Sequence, residues 1–189
     1  MAEAVFESLA GRVSFIHGAM LAAVEGLDVD VFRARPGAKA PSIAFHLWHT
    51  ARWADAFQAR FGTFAPHLVR FAGRDQFWDA RGLADAWRLG DALGGEATGM
   101  GLDDDASAAL PLPGRDAVTS YAREAFAAAE DVFGGVELDE LLLPTEDFYD
   151  EGGWVVVDHF GWHLTHASRH LGMIEALKGV LGVEGTATV

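Results

Sequence analysis

Four histidines, His159, His163, His166 and His170, crowd into one short stretch near the carboxyl end of the chain. On a helix, at about 100° per residue, they fall at relative angles of about 0°, 40°, −20° and 20°, a single narrow stripe. His46 and His49 stand one turn apart in an earlier segment, while His17 and His67 are isolated. Neutral imidazoles at i and i+4 point the same way and can share one ion. A third ring from a facing helix closes a three-nitrogen site with positions left for water or substrate. Both His159-Phe160-Gly161-Trp162-His163 and His166-Ala167-Ser168-Arg169-His170 have this spacing. The plainer alternative is a solvated stripe, or core imidazoles bonded to backbone carbonyls. Phe160, Trp162, Leu164 and Leu171 flank the stripe, so the helix is expected to be mostly buried. Buried imidazoles need partners, and a shared ion is one.

The other side chains narrow the chemistry further. Cysteine is absent, which removes disulfides, thiolate metal sites, iron–sulfur clusters and a cysteine nucleophile. Any metal must then be held by nitrogen and oxygen. With 28 acidic residues against 14 basic ones the formal charge is −14, which argues against nucleic acid and against an anionic membrane surface as partners. The His-Glu-x-x-His of zinc proteases and the Glu-x-x-His pairs of di-iron bundles do not occur. Asp103-Asp104-Asp105 lacks the spacing of a calcium loop and reads as a solvated turn. Neither a phosphate loop nor Gly-x-Ser-x-Gly is found, so nucleotide binding and serine nucleophile chemistry have no support.

Helices must position these residues. Apolar side chains recur at helical spacing from about Glu3 to Glu25, at Val5, Phe6, Leu9, Val13, Ile16, Met20, Leu21 and Val24. Arg35-Pro36-Gly37 interrupts the pattern. A second helix is expected from about Pro41-Ser42 to Gly62, and a third from about Arg115 to Phe133, before Gly134-Gly135. A fourth runs from about Trp154 to Lys178 and stops at Gly179. Between the second and third lies a crossover of roughly 63–114, with short helical pieces such as Leu83-Ala84-Asp85-Ala86-Trp87 and a Gly/Asp-rich stretch at 94–105. Alternating strand patterns are lacking. The expectation is an all-α chain, one domain over its 189 residues, folded as an up-down-down-up four-helix bundle with the long crossover between helices 2 and 3. The amino end has no basic flank before an apolar run, and no stretch is apolar enough to span a bilayer. A soluble cytoplasmic protein is the corresponding expectation.

Two segments carry a family resemblance: Ser42-Ile43-Ala44-Phe45-His46-Leu47-Trp48-His49-Thr50-Ala51-Arg52-Trp53-Ala54-Asp55, and Val157 to Gly179 with its His166-Ala167-Ser168-Arg169-His170-Leu171-Gly172 core. With Gln76-Phe77-Trp78 and Gly82-Leu83-Ala84 between them, they resemble the DinB/YfiT-like superfamily of metalloenzymes. The resemblance implies a four-helix bundle, often a homodimer, with a divalent ion (Zn, Ni, Mn or Fe) on three histidines. Trp-His-x-Ala-Arg places the first ligand at His49. His-x-x-x-His followed by Leu-Gly places the others at His166 and His170. His46 and His163 are then neighbours of the ligands rather than ligands. Arg52, Asp55, Arg169 and Glu175 are expected to pair helix faces, with Glu175 the one candidate general base. The resemblance further implies a small-molecule substrate and an S-transferase or isomerase using a bacterial low-molecular-weight thiol such as mycothiol or bacillithiol, with a metal-dependent hydrolase as the other enzymatic reading. The alternative is a non-catalytic metal-binding stress-response protein.

Overall fold

The hydroxyl of Ser42 accepts a hydrogen bond from the Phe45 N–H, and that cap starts the helix carrying His46 and His49. In the computed structural model, residues 2–146 and 152–186 are described, with side chains from residue 7 onward. The α-helices run in order as α1 (Ala2–Val24), α2 (Val29–Arg33), α3 (Ile43–Phe64), α4 (Phe77–Ala80), α5 (Leu83–Ala86), α6 (Asp104–Ala109), α7 (Arg115–Gly134) and α8 (Val156–Val180). Two two-residue strands, β1 (Pro144–Thr145) and β2 (Trp154–Val155), pair antiparallel just before α8. The described residues are thus predominantly helical, as the periodicity predicts. No helix among them is long and apolar enough to cross a membrane.

Departures from expectation lie at the ends and in the connections. α8 passes through Gly179 to Val180, and the chain turns instead at Gly182, whose φ of 77° is the left-handed region glycine tolerates. Asp103 is no free turn: its carboxylate caps the Ala106 N–H and starts α6. Val5 and Phe6 of the expected apolar face lie outside the described side chains.

α3 is buried on every side from Ile43 to Gln58, although His46, His49, Arg52, Asp55 and Gln58 interrupt its apolar pattern. Steps of three residues rotate each successive polar group by about 60° around the helix. The stripe therefore winds from α8, met by His46 and His49, to Tyr121 on α7, met by Arg52 and Asp55. Along α8 the partners descend as α3 ascends: His46 meets His170, His49 meets His166, Phe57 meets His163 and Phe61 meets His159. Along α7 they ascend, from Asp55 with Tyr121 to Phe57 stacked on Phe133 at 4.6 Å. α1 packs on α7 and α8, its His17 stacked on Phe126. The core joins Met20, Trp48, Phe57, Phe61, Phe126, Phe133 and Phe160, and each buried aromatic ring contributes roughly 2–3 kcal/mol.

Candidate metal centre

His49 projects from α3 toward α8, and its ring is oriented before any ion is considered. Its Nδ1–H donates to the Thr98 carbonyl at 2.6 Å, which leaves the Nε2 lone pair free. That Nε2 faces Nε2 of His166 at 3.1 Å. The donors of His49, His166 and His170 all lie within 4.8 Å of one another. On a tetrahedral ion with bonds of about 2.1 Å, neighbouring donors stand about 3.4 Å apart, so the His49–His166 pair is already near that spacing. His46 sits outside the trio, its Nδ1 2.9 Å from Nδ1 of His170. If the proton between those two nitrogens is carried by His170, whose Nδ1–H then donates to His46, the Nε2 lone pair of His170 is left for an ion.

Burial keeps these rings uncharged. It lowers the pKa of His46 to about 4, helped by the neighbouring His49. It lowers that of His49 despite the opposing pull of the Thr98 carbonyl. Burial, then His49 and Arg169, bring His166 down to about 3. For His170, burial acts first, followed by the surrounding imidazoles and Arg169, and the value falls to about 2. Near pH 7 each ring is neutral and keeps one nitrogen lone pair beside its N–H. Three neutral imidazoles with one tautomer fixed from behind are a donor set that fits a divalent transition ion.

The trio forms part of the wall of a cavity of about 1030 Å³, large enough for a small organic molecule. Trp53, Trp154 and Trp162 line it, and Arg169 lies in the same wall. Trp162 stacks on His166 with planes 5° apart. The turn Gly99-Met100-Gly101 also lines the cavity. Gly95 and Met100 pair there in an antiparallel bridge, which folds the 93–101 segment back on itself and aims the Thr98 carbonyl at His49.

A sequence model of the DinB superfamily matches residues 15–174, most of the chain and all three of these histidines. The chain belongs to the DinB superfamily. Among solved structures, a conserved protein from Enterococcus faecalis shares the fold of this DinB-superfamily chain with a TM-score of 0.73 at 13% identity. The match covers 94% of this chain and 98% of that one. No curated protein matches.

Within this DinB-superfamily fold the histidine stripe of α8 divides. His166 and His170 meet α3 at the cavity, whereas His163, at the +40° edge of the stripe, turns to α1. Its Nε2 lies 2.7 Å from Nε2 of His17, whose Nδ1 bonds Glu130 at 2.8 Å. His159 bonds the Thr145 hydroxyl. The His159/His163 pair therefore belongs to the core. α8 is also less buried than its apolar residues suggest: Gly161, Thr165, Ser168, Arg169, Gly172 and Met173 are exposed, several of them facing the cavity.

Arg52 and Asp55 pair at 3.2 Å, both buried, but along α3 rather than between helices; Tyr121 of α7, bonded to both, joins them to a second helix face. Glu175 pairs with Lys178 and accepts from Thr186 near the chain end, and it is not among the residues lining the cavity. Arg169 makes no ion pair among the described residues, against expectation. Thr98 and its glycine-rich turn had no signal beyond turn composition, because their role depends on contact with a helix some fifty residues earlier.

Proposed function

We propose that this DinB-superfamily protein is a metal-dependent enzyme whose divalent ion is held by His49, His166 and His170. One observation carries the reading: three imidazoles from two helices, uncharged through burial, converge within 4.8 Å beside a cavity of about 1030 Å³. When bound, such an ion supplies the Lewis acidity that ionises a water or a thiol near neutral pH. The surrounding residues do the rest. The Thr98 carbonyl holds the His49 tautomer, His46 backs His170, and the indoles of Trp53 and Trp162 exclude water from one flank. The reaction we favour is S-transfer, in which a low-molecular-weight thiol loses its proton to solvent water, its sulfur bonds an electrophilic carbon, and the leaving group departs with the electron pair of the bond that breaks. The family resemblance supports the thiol, and the absence of cysteine is consistent with a sulfur brought from outside. We also infer the up-down-down-up bundle. The descending α3–α8 contacts and ascending α3–α7 contacts support it.

Metal content by plasma emission, together with thermal melts with and without added zinc, tests the site. About one ion per chain and a raised melting temperature are expected. His49→Ala should abolish stoichiometric binding while far-ultraviolet circular dichroism stays unchanged. Full retention of zinc by His49→Ala would move the ligand to His46. Monochlorobimane with a panel of thiols then tests the reaction: the loaded protein should accelerate adduct fluorescence with at least one thiol. No metal-dependent rate with any of them would remove the transferase.

A further inference from the structure

Among the described residues, Arg169 is a cation without an ion pair, beside a donor trio that includes no carboxylate. The donor trio is all imidazole. Arg169 lines the same cavity with no ion pair among the described residues, and its charge is felt at both His166 and His170. Among the described residues of that wall the one acidic side chain, Asp158, is engaged by the Val155 N–H at the start of α8. It also lies eleven residues, about 16 Å of helix, from Arg169. A divalent ion on three neutral rings next to a guanidinium would give this corner a local charge of about +3 within a chain of net charge −14. An anion arriving from solution lowers that charge. The adjoining wall is built of Trp53, Trp154 and Trp162 with Met100 and Met173, surfaces that suit a flat apolar body.

From this juxtaposition we propose that the cavity selects amphipathic carboxylates, molecules with an apolar, preferably aromatic, body whose carboxylate is received by the Arg169 guanidinium at the histidine end. The inference rests on the proposed metal site only for part of the charge. Arg169 and the tryptophan wall are present whether or not an ion is bound, so an ionic preference should survive, weakened, in metal-free protein. A guanidinium takes a carboxylate through two parallel N–H bonds, which an uncharged amide of the same shape cannot match.

Quenching of tryptophan fluorescence by 3-phenylpropionate and by 3-phenylpropionamide reads the preference directly. In zinc-treated wild-type protein the acid should bind about tenfold or more tighter than the amide. Arg169→Gln, an exposed position where the fold should be unaffected, should bring the two affinities within about twofold, and Arg169→Lys should restore part of the gap. Repeating the titrations after chelation separates the two readings. A reduced but Arg169-dependent preference without zinc supports the guanidinium site even if metal analysis finds no ion. A preference that Arg169→Gln leaves intact, equal affinity for acid and amide in wild type, or no binding of either probe would each overturn the proposal.

Discussion

Two histidines one turn apart on α3 have nearly the same claim to a metal, and what separates them is a carbonyl neither of them carries. Thr98 accepts from Nδ1 of His49, while among the described residues the His46 ring hydrogen-bonds to His170. Family spacing picks out His49 in the sequence, but the reason it can serve is invisible there, because the turn that orients it is held by Arg52. That guanidinium donates to the carbonyls of Glu96 and Ala97, and also to Asp55, Tyr121 and Gln76. A lysine has one donor head and cannot span this set. Arg52→Lys should therefore weaken zinc binding about 10–100-fold although it touches no ligand, the usual effect of losing the group behind a metal-binding histidine. Competition against a chromophoric chelator measures the affinity, and the ring nitrogen shifts of His49 report whether its tautomer has been released. Unchanged affinity would show that Thr98 does not orient the ring.

At the scale of elements, the long helices were legible because their apolar residues repeat every three or four positions, and caps such as Ser42 fix where they begin. The expected helix from Arg115 to Phe133 ends one residue short of α7. The 93–101 turn was not legible. Its glycines announce a turn, but its destination is set by packing on Phe45 and Trp48, a long-range contact with no local signature. Gly99 shows how tightly the turn is held. With φ at 89°, a Cβ added there would come within 2.9 Å of the Trp48 ring and 3.0 Å of the Phe45 ring. Both rings are buried and cannot withdraw. Gly99→Ala should cost more than about 1 kcal/mol in urea unfolding, from strain alone. Because the turn must lift to make room, it should also lower zinc affinity in the same direction as Arg52→Lys. Gly101→Ala is the internal control, since its added Cβ meets nothing and carries only the backbone strain of its φ of 76°.

For the molecule as a whole, concentrating uncharged histidines between helices ties folding to pH. Burial lowers the pKa of His46 to about 4, His166 to about 3 and His170 to about 2, and holds His49 down and His163 well below the usual imidazole value of 6.5. In the unfolded chain these rings regain an ordinary value near 6.5. Between roughly pH 6.5 and 4 the unfolded state therefore binds more protons than the folded one, and stability falls as pH falls. Each such ring shifts the equilibrium toward unfolding by up to about tenfold per pH unit, until its own folded pKa is reached. His46 stops contributing near pH 4, whereas His166 and His170 continue below it. Glu130, whose pKa is lowered chiefly by its hydrogen bond to His17, adds a loss of the same sign once the pH drops below the usual carboxylate value near 4.5. Chelated protein should thus show a urea midpoint that is flat above about pH 7 and drops steeply from about 6.5 to 4.5. Added zinc should raise the midpoint most at neutral pH and progressively less in acid, because protons and the ion compete for the same lone pairs. A midpoint constant between pH 7 and 5 would mean that the rings are solvated and free to charge in the folded protein, and the buried neutral donor set would have to be abandoned.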